Sequence, residues 1–256
     1  MKSLIWRSSI FLVALAVLVL AGPAHAQTGP SRDWKPILEH FRSITVMPPA
    51  DWRFHPDDGS PWEAPEAGAS DWPAYRLGER WTSGSAWVRQ WIEIPAKLNG
   101  YDVRGARLEL KLSLGGETTP LIYVYANGMQ VAQGEDLDTV LVAPHAEPGA
   151  KILIAIKVQV LPGPTSLRQI ELEFEPAAGR PDPRRLLKEC QAADSLIKVF
   201  PEKQAERSAY VDAALAAIDW GALGRGDQEG FDRSLKQAEQ KLDGLRAWLR
   251  SFSIHA

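Results

Sequence analysis

Arg107-Leu108-Glu109-Leu110-Lys111-Leu112-Ser113-Leu114 carries a leucine at every second position, with charged or polar residues between. A half-buried strand needs this alternation, because successive side chains point to opposite faces of a sheet. The same period returns in Ile152, Ile154, Ile156, Val158 and Val160, set against Lys151, Lys157 and Gln159. It returns again in Ile170, Leu172 and Phe174, set against Gln169, Glu171, Glu173 and Glu175. Turn signals separate these runs: Asn99-Gly100, Gly115-Gly116, Asn127-Gly128, Pro148-Gly149 and Pro162-Gly163-Pro164. Asn127-Gly128 follows Tyr123-Val124-Tyr125 and reads as a two-residue hairpin, since Asn and Gly tolerate positive φ. Short strands at this spacing predict an antiparallel β-sandwich over 87–178.

On the C-terminal side the period changes to 3.6. Asp182 is positioned as an N-cap with Pro183 at the first helical position, and Leu186, Leu187, Cys190, Ala193, Ile197 and Phe200 mark one face. A second helix is expected from Lys203 to Asp219, with Tyr210, Val211, Ala214, Leu215 and Ile218 inward. A third begins near Asp227. Its Phe231, Leu235, Ala238, Leu242, Leu245, Leu249 and Phe252 step by fours and threes, a seam that needs a partner to cover it; two or three antiparallel helices could share that burden, but the seam runs up to the end of the sequence. The fold class expected is therefore α+β, a sandwich followed over 179–250 by a helical linker of about three helices. Ser251 to Ala256 reads either as the opening of a strand that stops short or as a frayed tail.

On the N-terminal side, Lys2 and Arg7 precede an apolar run from Ile10 to Ala21, then Gly22-Pro23 and Ala24-His25-Ala26. This is the pattern of a secretory signal peptide over 1–26, cleaved after Ala26, and its apolar run is too short to span a bilayer. The protein is expected to be exported, periplasmic or extracellular, with no membrane span after cleavage. Residues 27–86 are expected to hold a short helix near 32–44 and then a Trp-, Pro- and Gly-rich wrap without a regular period. Of ten tryptophans, seven fall here and at the start of the sandwich: Trp34, Trp52, Trp62, Trp72, Trp81, Trp87 and Trp91. Indoles in such a segment either stack on sugar rings or bury a seam between parts of the protein, and the seam is the favoured use. Trp52, Trp62, Trp72 and Trp81 are the residues picked for carbohydrate or interdomain contact.

The 256 residues are 45% hydrophobic and carry a formal charge of −3, which excludes wholesale disorder and argues against a nucleic-acid binder. One cysteine, Cys190, excludes an intrachain disulfide and reads as a buried thiol on an apolar helix face. His40, His55, His145 and His255 are scattered, so no metal site is expected. Asp57-Asp58-Gly59 and Glu135-Asp136-Leu137-Asp138 read as solvated turns. No nucleophile elbow, phosphate loop or dinucleotide fingerprint is present, and no catalytic residue is assigned.

Trp87-Val88-Arg89-Gln90-Trp91-Ile92-Glu93-Ile94-Pro95, Leu108 to Leu114, and Tyr123-Val124-Tyr125-Ala126-Asn127-Gly128 together resemble the galactose-binding-like (jelly-roll) sandwiches attached to glycoside hydrolases. With the export signal, the wrap, the helices and the tail Phe252 to Ala256, the layout is similar to the N-terminal, non-catalytic portion of family 38 glycoside hydrolases, the α-mannosidases. In that family such a tail leads into a catalytic barrel whose first strand carries a Gly-x-x-His-Ile-Asp segment that binds zinc. The resemblance implies that 251–256 opens a truncated catalytic domain, that His255 is not a zinc ligand, and that zinc ligands, nucleophile and general acid are all outside this chain. The expected role is thus an ancillary region of an exported α-mannosidase-like enzyme, inactive alone, whose partners are the missing catalytic domain and mannose-containing glycans. The alternative is a self-sufficient exported carbohydrate-binding module. A third reading is a protein-interaction module that uses the same indoles and seam.

Overall fold

The computed structural model describes residues 32–252 other than 82, 83, 117, 118, 136, 160–162 and 201. The signal segment with Ala26, and residues 253–256 with His255, lie outside the described residues. From Asp33 onward the described residues form one compact unit.

The alternating runs become the expected antiparallel strands. Five of them, β1 (Arg53–Pro56), β2 (Ala86–Glu93), β9 (Lys151–Gln159), β6 (Leu121–Ala126) and β7 (Met129–Gly134), pair in that order. A second sheet has the order β10 (Thr165–Glu175), β5 (Arg107–Gly116), β8 (Thr139–Ala143). A small hairpin, β3 (Lys97–Leu98) and β4 (Tyr101–Asp102), turns through Asn99-Gly100. Leu108, Leu110 and Leu112, beside Phe174, Leu172 and Ile170 of the same sheet, share one buried cluster between the sheets with Val88, Ile92, Val124, Ile154 and Ile156 of the other. Asn127 and Gly128 adopt positive φ (49° and 82°) at the β6–β7 hairpin, as their pairing predicts.

Two expectations about the strands change. Gly115-Gly116, read as a turn, ends β5 in extended pairing with Ser166 and Thr165. The wrap, read as having no regular period, contributes the edge strand β1, whose Arg53–Pro56 pairs with Ala86–Arg89. Four residues are too few to show a period. Farther along, Ala74 bridges to Arg53 and Trp81 bridges to Thr165. The wrap thereby borders both sheets on one side of the sandwich, while β7 and β8 are their outer strands on the other.

Six helices complete the described residues: α1 (Lys35–Thr45), α2 (Pro183–Val199), α3 (Gln204–Ala216), α4 (Trp220–Gly224), α5 (Gln228–Lys241) and α6 (Asp243–Phe252). The Asp182 carboxylate caps α2 by accepting from the Arg184 amide at 2.9 Å, and Asp227 caps α5 through the Gly230 amide at 2.8 Å. The expected third helix is two. It breaks at Leu242, where Gly244 weakens the helix and lets the Tyr210 ring approach, so that a Cβ there would lie 2.6 Å from Tyr210 Cε1. Arg246 Nη1 donates to the Glu239 carbonyl at 3.1 Å, which also accepts from the Leu242 amide, and so ties α6 to the end of α5.

Five of the seven residues of the seam are covered by the chain itself, and the side chains of the other two, Leu249 and Phe252, lie outside what is described. Phe231, Leu235, Ala238, Leu242 and Leu245 are all buried, packed with Val211 and Ala214 of α3, the face of α2, and Tyr101 of β4. A periodic face shows that something must cover it, and gives no information on what does. Ser251 and Phe252 continue α6 and do not open a strand. The rest of that tail, 253–256, lies outside the described residues. Cys190 is buried as expected.

Candidate functional site

The outer face of the five-stranded sheet is built by alternation within β2. Val88 and Ile92 point into the sandwich, which sends Trp87, Arg89 and Trp91 to the other side. Register adds His55 beside Trp87 and Arg53 beside Arg89 from β1, and Lys157, Ala155 and Leu153 from β9. The wrap lies across part of this face. Trp72, Trp87 and Ala155 form a small buried cluster there, with Trp62, Ala69 and Tyr125 at its edge. His55 stacks 4.8 Å from Trp72 and tilts 5.2 Å from Trp62.

The Asp57-Asp58 pair, read as a solvated turn, holds this cluster. Asp57 accepts from the Trp87 indole at 3.1 Å and the Gly59 amide at 3.1 Å, and pairs with Lys157 at 2.7 Å. Burial, the largest single influence, pushes its carboxyl up, and the Lys157, Trp87 and Gly59 donors together overcome this and hold it below its ordinary range. Asp58 accepts from the Ser60 amide at 2.9 Å and the Trp62 indole at 2.8 Å. These bonds, the Ser60 amide first, pull its pKa down to about 2.

Where the wrap ends short of Trp91 there is a cleft of about 350 Å³, lined by Arg53, Arg89, Gln90, Trp91 and Leu153 on the sheet side and by residues 65–70 opposite. Arg89 is only 2% exposed. Its Nη1 and Nη2 donate to the Ala67 and Ala64 carbonyls at 2.7 and 3.0 Å, which fixes the opposite wall. Its Nε is buried with no partner, and its guanidinium stands 5.7 Å from the Trp72 ring. Burial lowers its pKa from the ordinary value, against a smaller upward pull from Glu63. Arg53 Nη1 donates to the Trp72 carbonyl at 3.1 Å. Trp91 is 48% exposed.

The four tryptophans picked from sequence divide. Trp52 and Trp72 are buried, Trp52 in the main core and Trp72 between the wrap and the sheet, against Trp87 and Ala155. Trp62 is half-buried and lies edge-on to Trp72 at 5.0 Å. Trp81 sits apart, against Phe54 at 5.6 Å and Tyr75 at 6.1 Å. The structure brings Trp62 and Trp72 together and leaves Trp52 and Trp81 elsewhere. Trp91 was not among those picked, although Val88 and Ile92 already mark its face as the outer one. Among the described residues, no three His, Cys, Asp or Glu side chains converge as metal ligands.

Neither a protein-family model nor a curated protein matches this sequence. Among solved structures, the chain is similar to a β-glucuronidase from glycoside hydrolase family 2, at 17% identity and a TM-score of 0.35, over 45% of this chain and 14% of that one. It is similar to a Bacteroides uniformis β-glucuronidase at 16% identity and a TM-score of 0.41, over 50% of this chain and 17% of that one. A family 2 glycosyl hydrolase from Bacteroides cellulosilyticus matches at 16% identity and a TM-score of 0.39, over 52% and 21% of the respective chains. The likeness is distant and partial. It assigns no activity to this chain.

Proposed function

We propose that this chain is a carbohydrate-contacting accessory region of an exported glycoside hydrolase, with the Trp91 cleft as the contact. The observation that carries the reading is the half-exposed indole of Trp91 in a walled cleft, among guanidinium, amide and carboxylate groups. An indole face offers flat apolar area to the C–H side of a sugar ring, and flanking polar groups meet its hydroxyls. The finer assignment, an α-mannosidase-like parent, rests on the resemblance carried by Trp87 to Pro95 and Tyr123 to Gly128, and export rests on residues 1–26. Titrating tryptophan emission with neutral mannose-rich and acidic galacturonate oligosaccharides tests the contact. Saturable quenching by either series, lost in Trp91→Ala, is expected. No response to any of them, or an unchanged response in the variant, overturns it. An assay on an aryl α-mannoside, with and without zinc, is expected to show no turnover.

A second reading, that another domain docks on this chain, is favoured by one observation. Outer strands β7 and β8 flank an open groove in which Met129, Val131 and Leu141 are exposed, and none of the residues lining it is charged. Uncharged edge strands invite pairing with another chain. Sedimentation of an assembly whose formation Val131→Lys abolishes would support it.

A further inference from the structure

Each sheet of the sandwich sets two like charges opposite one another on its outer face. On the three-stranded sheet Glu173 pairs in register with Glu109. Arg184 of α2 lies over both, with Nη1 at 3.1 Å from Glu109 and 3.4 Å from Glu173, and Lys111 adds a second ion pair to Glu173. Like charges directly opposite on neighbouring strands repel, and here the counter-ion is built in. On the five-stranded sheet Arg53 pairs in register with Arg89. Neither arginine forms an ion pair among the described residues, and both line the cleft beside Trp91 with Glu66 as its one lining carboxylate.

Anchoring the wrap accounts for part of this arrangement, since both arginines donate to its carbonyls. It does not account for the charge. A neutral amide donor could hold a carbonyl, whereas the buried Arg89 guanidinium carries a desolvation cost that its two carbonyls, the Trp72 ring and the pull of Glu63 offset only in part, with Nε left unpartnered. The chain as a whole is acidic, at −3, so a local excess of positive charge is not a general property of its surface. Arg53 commits one of its donors to Trp72, and a guanidinium has five, in a fork that fits a carboxylate.

We propose that the Trp91 cleft takes a carboxylate-bearing sugar, its ring on the indole and its carboxylate on Arg53, with Arg89 behind supplying positive potential. This rests on the carbohydrate reading above and specifies the ligand class. The full mature chain is titrated with trigalacturonate and with mannotriose, following tryptophan emission at low and at physiological salt. Trigalacturonate is expected to bind about tenfold or more tighter, as a charge-assisted bond warrants, and to weaken as salt rises. Arg53→Gln is expected to abolish that preference and Arg53→Lys to keep it, so that loss of charge is separated from a disturbed wall. Trp91-dependent binding of mannotriose at equal strength overturns the acidic ligand while the carbohydrate reading stands. Binding of neither sugar overturns both. Sodium acetate competing as well as the trimer reduces the cleft to a bare carboxylate site and overturns the sugar class.

Discussion

The two outer faces of the sandwich solve the same problem in different ways. Over the three-stranded sheet, Glu171, Glu173 and Glu175 of β10 are each met by a cation: Arg42 of α1, Lys111 and Arg184, and Arg107. That face is closed by helices and internally neutralised. Over the five-stranded sheet the cover is a strap without helix, fixed by indoles and two aspartates, and it stops short of Trp91 and the arginine pair. The difference teaches where to look for a ligand: a face whose charges are all matched holds the fold together, and a face with an excess has work left for another molecule.

That contrast breaks first where the strap is nailed down. Trp72→Ala removes the buried indole on which His55, Trp62 and Arg89 converge, and is expected to cost about 3–5 kcal/mol in urea denaturation. A loss under about 1 kcal/mol would make the strap ornamental and the cleft wall unsupported. Next is Glu173→Gln on the closed face. It leaves Lys111 and Arg184 short of a partner and is expected to cost about 2 kcal/mol, less than a fully buried pair because Lys111 is partly solvated. No change would mean that this face is no better matched than the other.

Acid sharpens the contrast. Asp57 and Asp58 both titrate below their ordinary 3.8 in the folded chain, Asp58 at about 2. A depressed carboxylate contributes stability that is complete above its unfolded value and fades as pH falls through its folded one. The strap is therefore expected to loosen as pH drops from about 3.8 toward 2, seen as a shift in tryptophan emission that Asp57→Asn with Asp58→Asn flattens. Emission constant down to pH 2 would contradict it. The smallest effect belongs to Trp91→Ala, which is expected to change stability by under about 0.5 kcal/mol because the indole is half-exposed. A large loss would mark Trp91 as a structural residue.

The sandwich was legible because alternation is a local property: Leu108 to Leu114 announce their face without reference to any partner. The caps Asp182 and Asp227 were legible for the same reason. The helical seam was half legible. Its face could be read, and so could the inward face of Val211 and Ala214 that helps cover it, but the contribution of Tyr101, far away in sequence, carries no sign. In the wrap, composition showed that the indoles anchor something. It could not show which ones, because burial of Trp52 and Trp72 and exposure of Trp91 depend on where a segment of no fixed period crosses a sheet. The arginine pair needs the β1–β2 register, and β1 has only four residues.

Gly100 has a last consequence. At φ +89° its missing Cβ would sit 2.6 Å from the carbonyl oxygen of Leu223, so the tip of the β3–β4 hairpin rests against α4 with no room for a methyl group. Around this joint His40 stacks on Trp220 at 3.8 Å and Tyr101 meets Phe231 edge-on at 5.9 Å. Sheets and helices are therefore not interchangeable cassettes. A clone trimmed after residue 178 would bare Tyr101 and its neighbours to water, and a grafted helical segment would have to reproduce the shape of a single glycine's footprint.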